Sequence, residues 1–251
     1  MSSGPSNWAN NAHHDHSAID PAFRRNRVRS LTFLAILTLL LVLAILLSLR
    51  AGSYETPVSE LIRGIFGMAH DENINRVVRS NRLPRICTAL IAGAGLGISG
   101  CVLQAILRNP LASASTLGVS QGASFGAAFA IVVLNAAFAG AVGSAAIPLC
   151  AFAGSMAVAL VILGLSRFKQ ISPEGIVLAG VAISSMFTGA TTLIQYFADE
   201  IELASLVFWT FGSLGSTTWG DLRIMGIVVL LTSICFLLHR WDYNALLSGT
   251  E

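Results

Sequence analysis

Residues 82–112 read RLPRICTALIAGAGLGISGCVLQAILRNPLA, and this stretch decides the fold. From Ile86 to Leu107 it carries no charge, while Arg82 and Arg85 stand before that run and Arg108 follows it. About 20 helical residues at ~1.5 Å each cross the ~30 Å hydrocarbon of a bilayer, so the run is long enough to be a transmembrane helix. Inside it Gly95, Gly97 and Gly100 spell GxGxxG. At a strand-to-helix turn that motif cradles a pyrophosphate. Here it lies within an apolar run, and the region about twenty positions on, around Ser120, lacks the acidic residue a dinucleotide site needs. Gly93 and Gly97 instead form a small-xxx-small pair which, with Gly100, predicts close helix packing in lipid.

The surrounding chain has the same character. Hydrophobic residues make up 54% of the 251 positions and charged residues 11%, against about 25% charged in soluble domains. No acidic residue occurs between Glu72 and Glu174, and Arg108 is the only basic residue between Arg85 and Arg167. Apolar runs at residues 31–49, 86–107, 117–134, 141–165, 176–198 and 222–239 predict six spans and an all-α, polytopic transmembrane bundle.

Charge sets the expected orientation. Arg24, Arg25, Arg27 and Arg29 immediately precede the first span and place the N-terminus in the cytoplasm. The first span is long for a signal h-region, and Leu49, Arg50 and Ala51 make no small-x-small cleavage site, so it is read as uncleaved. Residues 1–20 are rich in Ser, Asn, Gly and His, a composition that predicts disorder. The chain thus divides into a basic cytoplasmic tail, 1–30, and a membrane domain, 31–251. His13, His14 and His16 lack rigid partners and read as solvated tail rather than a metal site. Arg108, Arg167 with Lys169, and Arg240 then fall inside, while Asp199, Glu200 and Glu202 fall outside.

The exception is residues 50–85, expected outside yet holding Arg63, Arg76, Arg79, Arg82 and Arg85. Within it Val58, Leu61, Ile62, Ile65 and Phe66 recur at helical spacing, which predicts a short interfacial helix. Trp209 and Trp219 bracket a Gly/Ser stretch between the last two spans, as indoles do at the headgroup boundary, so that connection is expected to dip back into the bilayer.

Catalytic chemistry is missing from the pattern. The sequence contains no GxxxxGK[ST] phosphate loop, and no HExxH, GxSxG or paired-carboxylate arrangement stands in a plausible pocket, so the chain reads as a non-enzyme without a cofactor. Cys87, Cys101, Cys150 and Cys235 lie in apolar runs without CxxC spacing and read as small buried hydrophobes. A net charge of +2, dispersed beyond the N-terminal tail, argues against a nucleic-acid partner. Transport against a gradient would draw energy from a partner or from buried ionisable groups, and the spans hold almost none of the latter. Neutral polar residues do occur: Gln104, Asn109, Ser120, Gln121, Ser124 and Gln195. In lipid such groups either bond between helices or line a wet path, and both readings stand.

The stretch at 82–112, followed by TLGVSQGASFGAAFAI at 116–131, resembles the FecCD-type permeases of iron-chelate, haem and cobalamin ABC importers. LAGVAISS at 178–185 and FWTFGSLGSTTW at 208–219 extend the resemblance. It implies a type II importer permease in the cell inner membrane that works with a second permease copy or paralogue, cytoplasmic ATPase subunits and an extracytoplasmic binding protein. An iron-siderophore is the first-choice cargo, with haem or cobalamin next. By motif position Arg82 and Arg85 are expected to dock the binding protein, with Pro84 in the first helical turn between them. The resembling family continues into an LGxxxAxxLG coupling segment and four further spans, whereas these residues stop at LLSGTE, like the first part of such a permease or a truncated one. The alternative is a secondary carrier, or a non-transporting interaction protein derived from such a permease.

Overall fold

A computed structural model describes residues 21–50, 57–134, 143–167, 171–215 and 217–248, and every regular element among them is helical. It divides into two compact units, Met1–Val78 and Arg79–Glu251.

In the first unit α1 (Pro21–Arg50) is apolar around its whole circumference beyond its basic first turns, and its large side chains lie open, Leu39 being 69% exposed. A helix without a polar face is stable when lipid surrounds it. Pro21 suits a first helical position, so Arg25, Arg27 and Arg29 ride on the helix rather than in the tail expected through residue 30. Residues 1–20, with His13, His14 and His16, lie outside the described residues.

The helix expected from the spacing at 58–66 is α2 (Val58–Ile65), which folds against α3 (Glu72–Val77). Leu61, Ile74 and Val78 bury one another, and at Gly64 a Cβ would stand 3.2 Å from Val78 Cγ2. Polar groups close the connection. Glu60 pairs with Arg63 at 3.2 Å and accepts the His70 backbone N–H at 3.0 Å, while Asn75 bonds both the N–H and the carbonyl of Ala69.

A π-helical turn, Val78–Arg82, leads into α4 (Leu83–Leu107). Then follow α5 (Val119–Ala128) with a second π turn (Phe129–Val133), α6 (Gly143–Ser166), α7 (Pro173–Phe197), α8 (Glu200–Phe211), α9 (Trp219–Leu238) and α10 (Arg240–Ser248). Local chemistry sets the starts. Ser172 caps α7, and Asp199 with Glu202 and Thr218 with Asp221 form reciprocal capping boxes on α8 and α9.

Among the described residues five helices are long and apolar enough to cross a membrane: Arg25–Arg50, Glu72–Leu107, Ala145–Ser166, Pro173–Phe197 and Trp219–Leu238. The sixth expected span is the shorter apolar helix Val119–Val133, at ~1.5 Å per residue only about 22 Å long. Its N-terminal end is taken up by the loop after α4. Between the last two spans α8 sets Leu206 in a core with Ala128 and Ile131, and Trp209 flanks that cluster. The cysteines are less covered than expected: Cys101 and Cys235 are exposed, Cys87 and Cys150 half-buried.

Within the described residues the closest glycine packing lies on other helices than α4. At Gly93, Gly97 and Gly100 an added Cβ meets nothing within 4 Å, so these positions hold no close approach within the described chain. In that motif only Gly95 faces a partner, Val229 on α9, at 3.0 Å. The tight crossing is between α5 and α6. A Cβ at Gly122 would stand 2.6 Å from the Gly154 carbonyl oxygen, one at Gly126 would strike the Cys150 carbonyl, and one at Gly154 would strike the Gly122 carbonyl. Gly122 and Gly126 are themselves a GxxxG pair, and α6 supplies a third glycine where the backbones cross.

Gly154→Leu therefore should lower the thermal midpoint of the detergent-solubilised protein by more than 5 °C, since overpacking costs about 1–3 kcal/mol or more. Gly97→Leu should leave it within about 2 °C. Tryptophan-fluorescence melting distinguishes them, and the reverse order would move the packing seam back to α4.

Candidate functional site

The site begins with the turn after α4. Arg108 takes a left-handed conformation (φ 47°), its N–H bonding the Ala105 carbonyl at 3.3 Å and the next N–H, of Asn109, reaching Gln104 at 3.2 Å. This is a Schellman-type stop. The Asn109 side chain accepts the Leu111 N–H at 2.9 Å, and its carbonyl accepts that of Ala112 at 3.1 Å. Ser113 and Thr116 bond reciprocally, each hydroxyl oxygen accepting the other's backbone N–H at 2.8 and 3.1 Å. Leu107, Ala112 and Leu117 then bury against Ile176 and Val177 of α7.

That burial brings the loop backbone onto α7. Gly118 (φ 83°) lies where a Cβ would be 3.0 Å from Ser184 Oγ, and a Cβ on Gly180 would be 2.8 Å from Leu117 Cα. Beside this contact opens a cavity of about 420 Å³ lined by Ser115, Thr116, Gln121, Val181, Ser184, Ser185 and Thr188. The α7 hydroxyls donate backwards along their own helix, Ser184 to Gly180 at 2.9 Å, Ser185 to Val181 at 3.1 Å and Thr188 to Ser184 at 2.8 Å. Their lone pairs remain available as acceptors. Gln121 Oε1 is buried and has no donor among the described residues. The lining is thus uncharged, adaptable and capable of hydrogen bonding.

The expected polar positions separate. Gln121 lines the cavity. Ser120 is exposed, and the Ser124 hydroxyl donates to its carbonyl at 3.2 Å. Asn109 is spent on the loop turn, Gln104 is exposed at the end of α4, and half-buried Gln195 sits near the end of α7, its carbonyl accepting the Ala198 N–H at 3.3 Å. The residues that reading missed are Ser115, Thr116, Ser184, Ser185 and Thr188. Their signal was present, since Ser184 and Thr188 are four apart on one helical face.

The two arginines of the expected docking pair differ in exposure. Arg85 is exposed but Arg82 is only 7% exposed, so the two do not share an outward face. Arg79, one helical turn before Arg82, is exposed instead. A second cavity, of about 390 Å³, is an apolar groove between α4 and α9 that includes Gly95, Leu96, Val229 and Phe236.

The profile of the FecCD transport family matches residues 40–251. A protein of Methanocaldococcus jannaschii named as an ABC transporter permease is 43% identical over 231 residues, covering 89% of this chain and 65% of the relative. The molybdate import system permease of Haemophilus influenzae is 36% identical over 218 residues, 84% of this chain and 62% of the relative. A solved structure described as an inward-facing metal-chelate type ABC transporter matches with a TM-score of 0.69 at 32% identity, covering 86% of this chain and 64% of that one. The chain therefore spans a little under two thirds of the length of these relatives.

Exchanging Gln121 for Met removes a buried acceptor that has no donor among the described residues. Because such a replacement is neutral or stabilising, the variant should melt no lower than the parent. A fall of more than about 4 °C would show instead that the amide holds the fold together.

Proposed function

The chain belongs to the FecCD transport family, and from that premise we propose that it is a membrane-spanning permease subunit of an ABC importer, with the hydroxyl- and amide-lined cavity between the 113–118 loop, α5 and α7 as part of its translocation surface. The observation that carries this reading is the cavity itself. Gln121 of α5 and Ser184, Ser185 and Thr188 of α7 gather around it together with Ser115 and Thr116 of the loop, so polar groups from three segments meet at one place. A neutral lining of weak, exchangeable hydrogen bonds lets cargo enter without trapping it, which passage requires. With no phosphate-binding loop in the sequence, ATP would be hydrolysed by cytoplasmic ATPase subunits, alongside a second permease copy or paralogue.

The proposed cargo is a metal chelate, an iron-siderophore first. Chelation hides the metal's charge, and the cavity lining offers no charged side chain to a bare ion. The description of the solved relative as metal-chelate type supports the class, while the Haemophilus relative is named for molybdate. Exposed Arg79 and Arg85 are proposed to meet acidic groups on an extracytoplasmic binding protein; buried Arg82 does not join that surface. Gly93, Gly97 and Gly100 keep a packing role in this proposal only toward a helix outside the described residues.

Deletion of the gene should abolish growth on a ferric siderophore as sole iron source, and the intact gene should restore it. A deletion that grows normally on every iron chelate and fails only when molybdate is scarce would replace the chelate with an oxyanion.

A further inference from the structure

The longest-range side-chain hydrogen bond described in the second unit joins the start of α9 to the turn before α4: the Trp219 indole N–H donates to the Arg79 carbonyl at 2.9 Å across 140 positions. The reason that carbonyl is available lies in the sequence. Val78–Arg82 is a π turn, with hydrogen bonds running from residue i to i+5. In that register the donor for the Arg79 carbonyl would be residue 84. Pro84 has no N–H, and the indole supplies a donor.

The backbone that carries the donor is fixed by the helix start. Trp219 is the first residue of α9, directly after Thr218, whose backbone N–H and hydroxyl bond Asp221 at 3.0 and 2.7 Å. One turn on, Leu222 is buried, and farther along Val229 meets Gly95 of α4. The helix that carries the indole is thereby locked against the helix that follows the turn. Of the two exposed arginines proposed for docking, Arg79 is the residue whose backbone the indole holds, and Arg85 follows six positions on, in the first turn of α4.

We infer that Trp219 is a positioning residue for the arginine-bearing turn, its indole N–H holding the Arg79 backbone so that Arg79 and Arg85 are presented together to an acidic surface of the binding protein. The inference rests on the docking reading above. A π turn next to a proline has lost part of its own ladder, so without the indole the turn samples other arrangements and the two guanidinium groups must be ordered at each encounter. The effect therefore falls on affinity and not on turnover once the complex has formed.

The test uses the assembled importer in lipid nanodiscs with its ATPase subunits and binding protein. Trp219→Phe should weaken binding-protein affinity about three- to tenfold at low salt, the range expected for one lost hydrogen bond, while ATP turnover at saturating binding protein stays at the parent value. The Arg85→Gln change should weaken binding as well, and the double variant should lose less than the sum of the two, because the indole acts through the arginines. If Trp219→Phe lowers insertion, replacing the indole with benzothienylalanine, which keeps the shape and removes only the N–H, decides by the same split. Unchanged affinity, a loss of turnover alone, or strict additivity with Arg85→Gln overturns the positioning role. A parent importer that binds no binding protein overturns the docking reading beneath it.

Discussion

Two helix backbones touch where Gly122 and Gly126 of α5 meet Gly154 of α6, and the geometry of the second unit depends on that contact. With the α5 helix and its π turn too short to cross the hydrocarbon, lipid on either side would not hold it at a fixed depth. A helix in lipid gains little from burying apolar surface against another helix, because the acyl chains are just as apolar; close backbone approach has to supply the attraction. The three glycines allow it. Once α5 is fixed, its first turn places Gln121 at the cavity, and its far end meets Leu206 of α8 through Ala128 and Ile131.

The second constraint is the backbone itself. In hydrocarbon a free N–H or C=O costs several kcal/mol, and the two irregular segments that bound α4 both find hydrogen-bond partners. After α4 the Schellman stop, the Asn109 turn and the Ser113–Thr116 pair do this within a few residues. At the π turn before α4 the bond comes from a side chain 140 positions away. Serine and threonine hydroxyls on α7 donate to carbonyls one turn back, which satisfies their own protons and leaves a lining of acceptors.

Much of this was readable in the residues. Apolar runs bounded by arginines located the long helices, because lipid leaves composition little freedom, and the 58–66 periodicity located α2. The FecCD resemblance rested on motifs within the matched region. Side-chain placement was less legible. The sequence holds two glycine pairs with the same spacing, and only the third glycine on α6 decides that Gly122–Gly126 is the tight crossing within this chain; that is information about a facing helix, which local spacing lacks. Arg82 and Arg85 looked equivalent on an ideal helix, but Arg82 ends a π turn while Arg85 lies in α4, and Arg82 is buried where Arg85 is exposed. Asn109 and Gln121 looked alike as neutral amides. One closes a turn and the other faces a cavity, because the loop between them folds onto α7.

The central claim is that this cavity belongs to the path of the cargo. In a background with Cys87, Cys101, Cys150 and Cys235 replaced, a single Ser185→Cys change puts a thiol on the lining. The measurement is its modification by a charged, water-soluble methanethiosulfonate in membranes containing the assembled importer, with and without ATP and chelate-loaded binding protein. The account predicts rapid modification that slows when loaded binding protein and ATP are present. A thiol that stays unmodified in every state, or that reacts at one rate regardless of cargo, would contradict it.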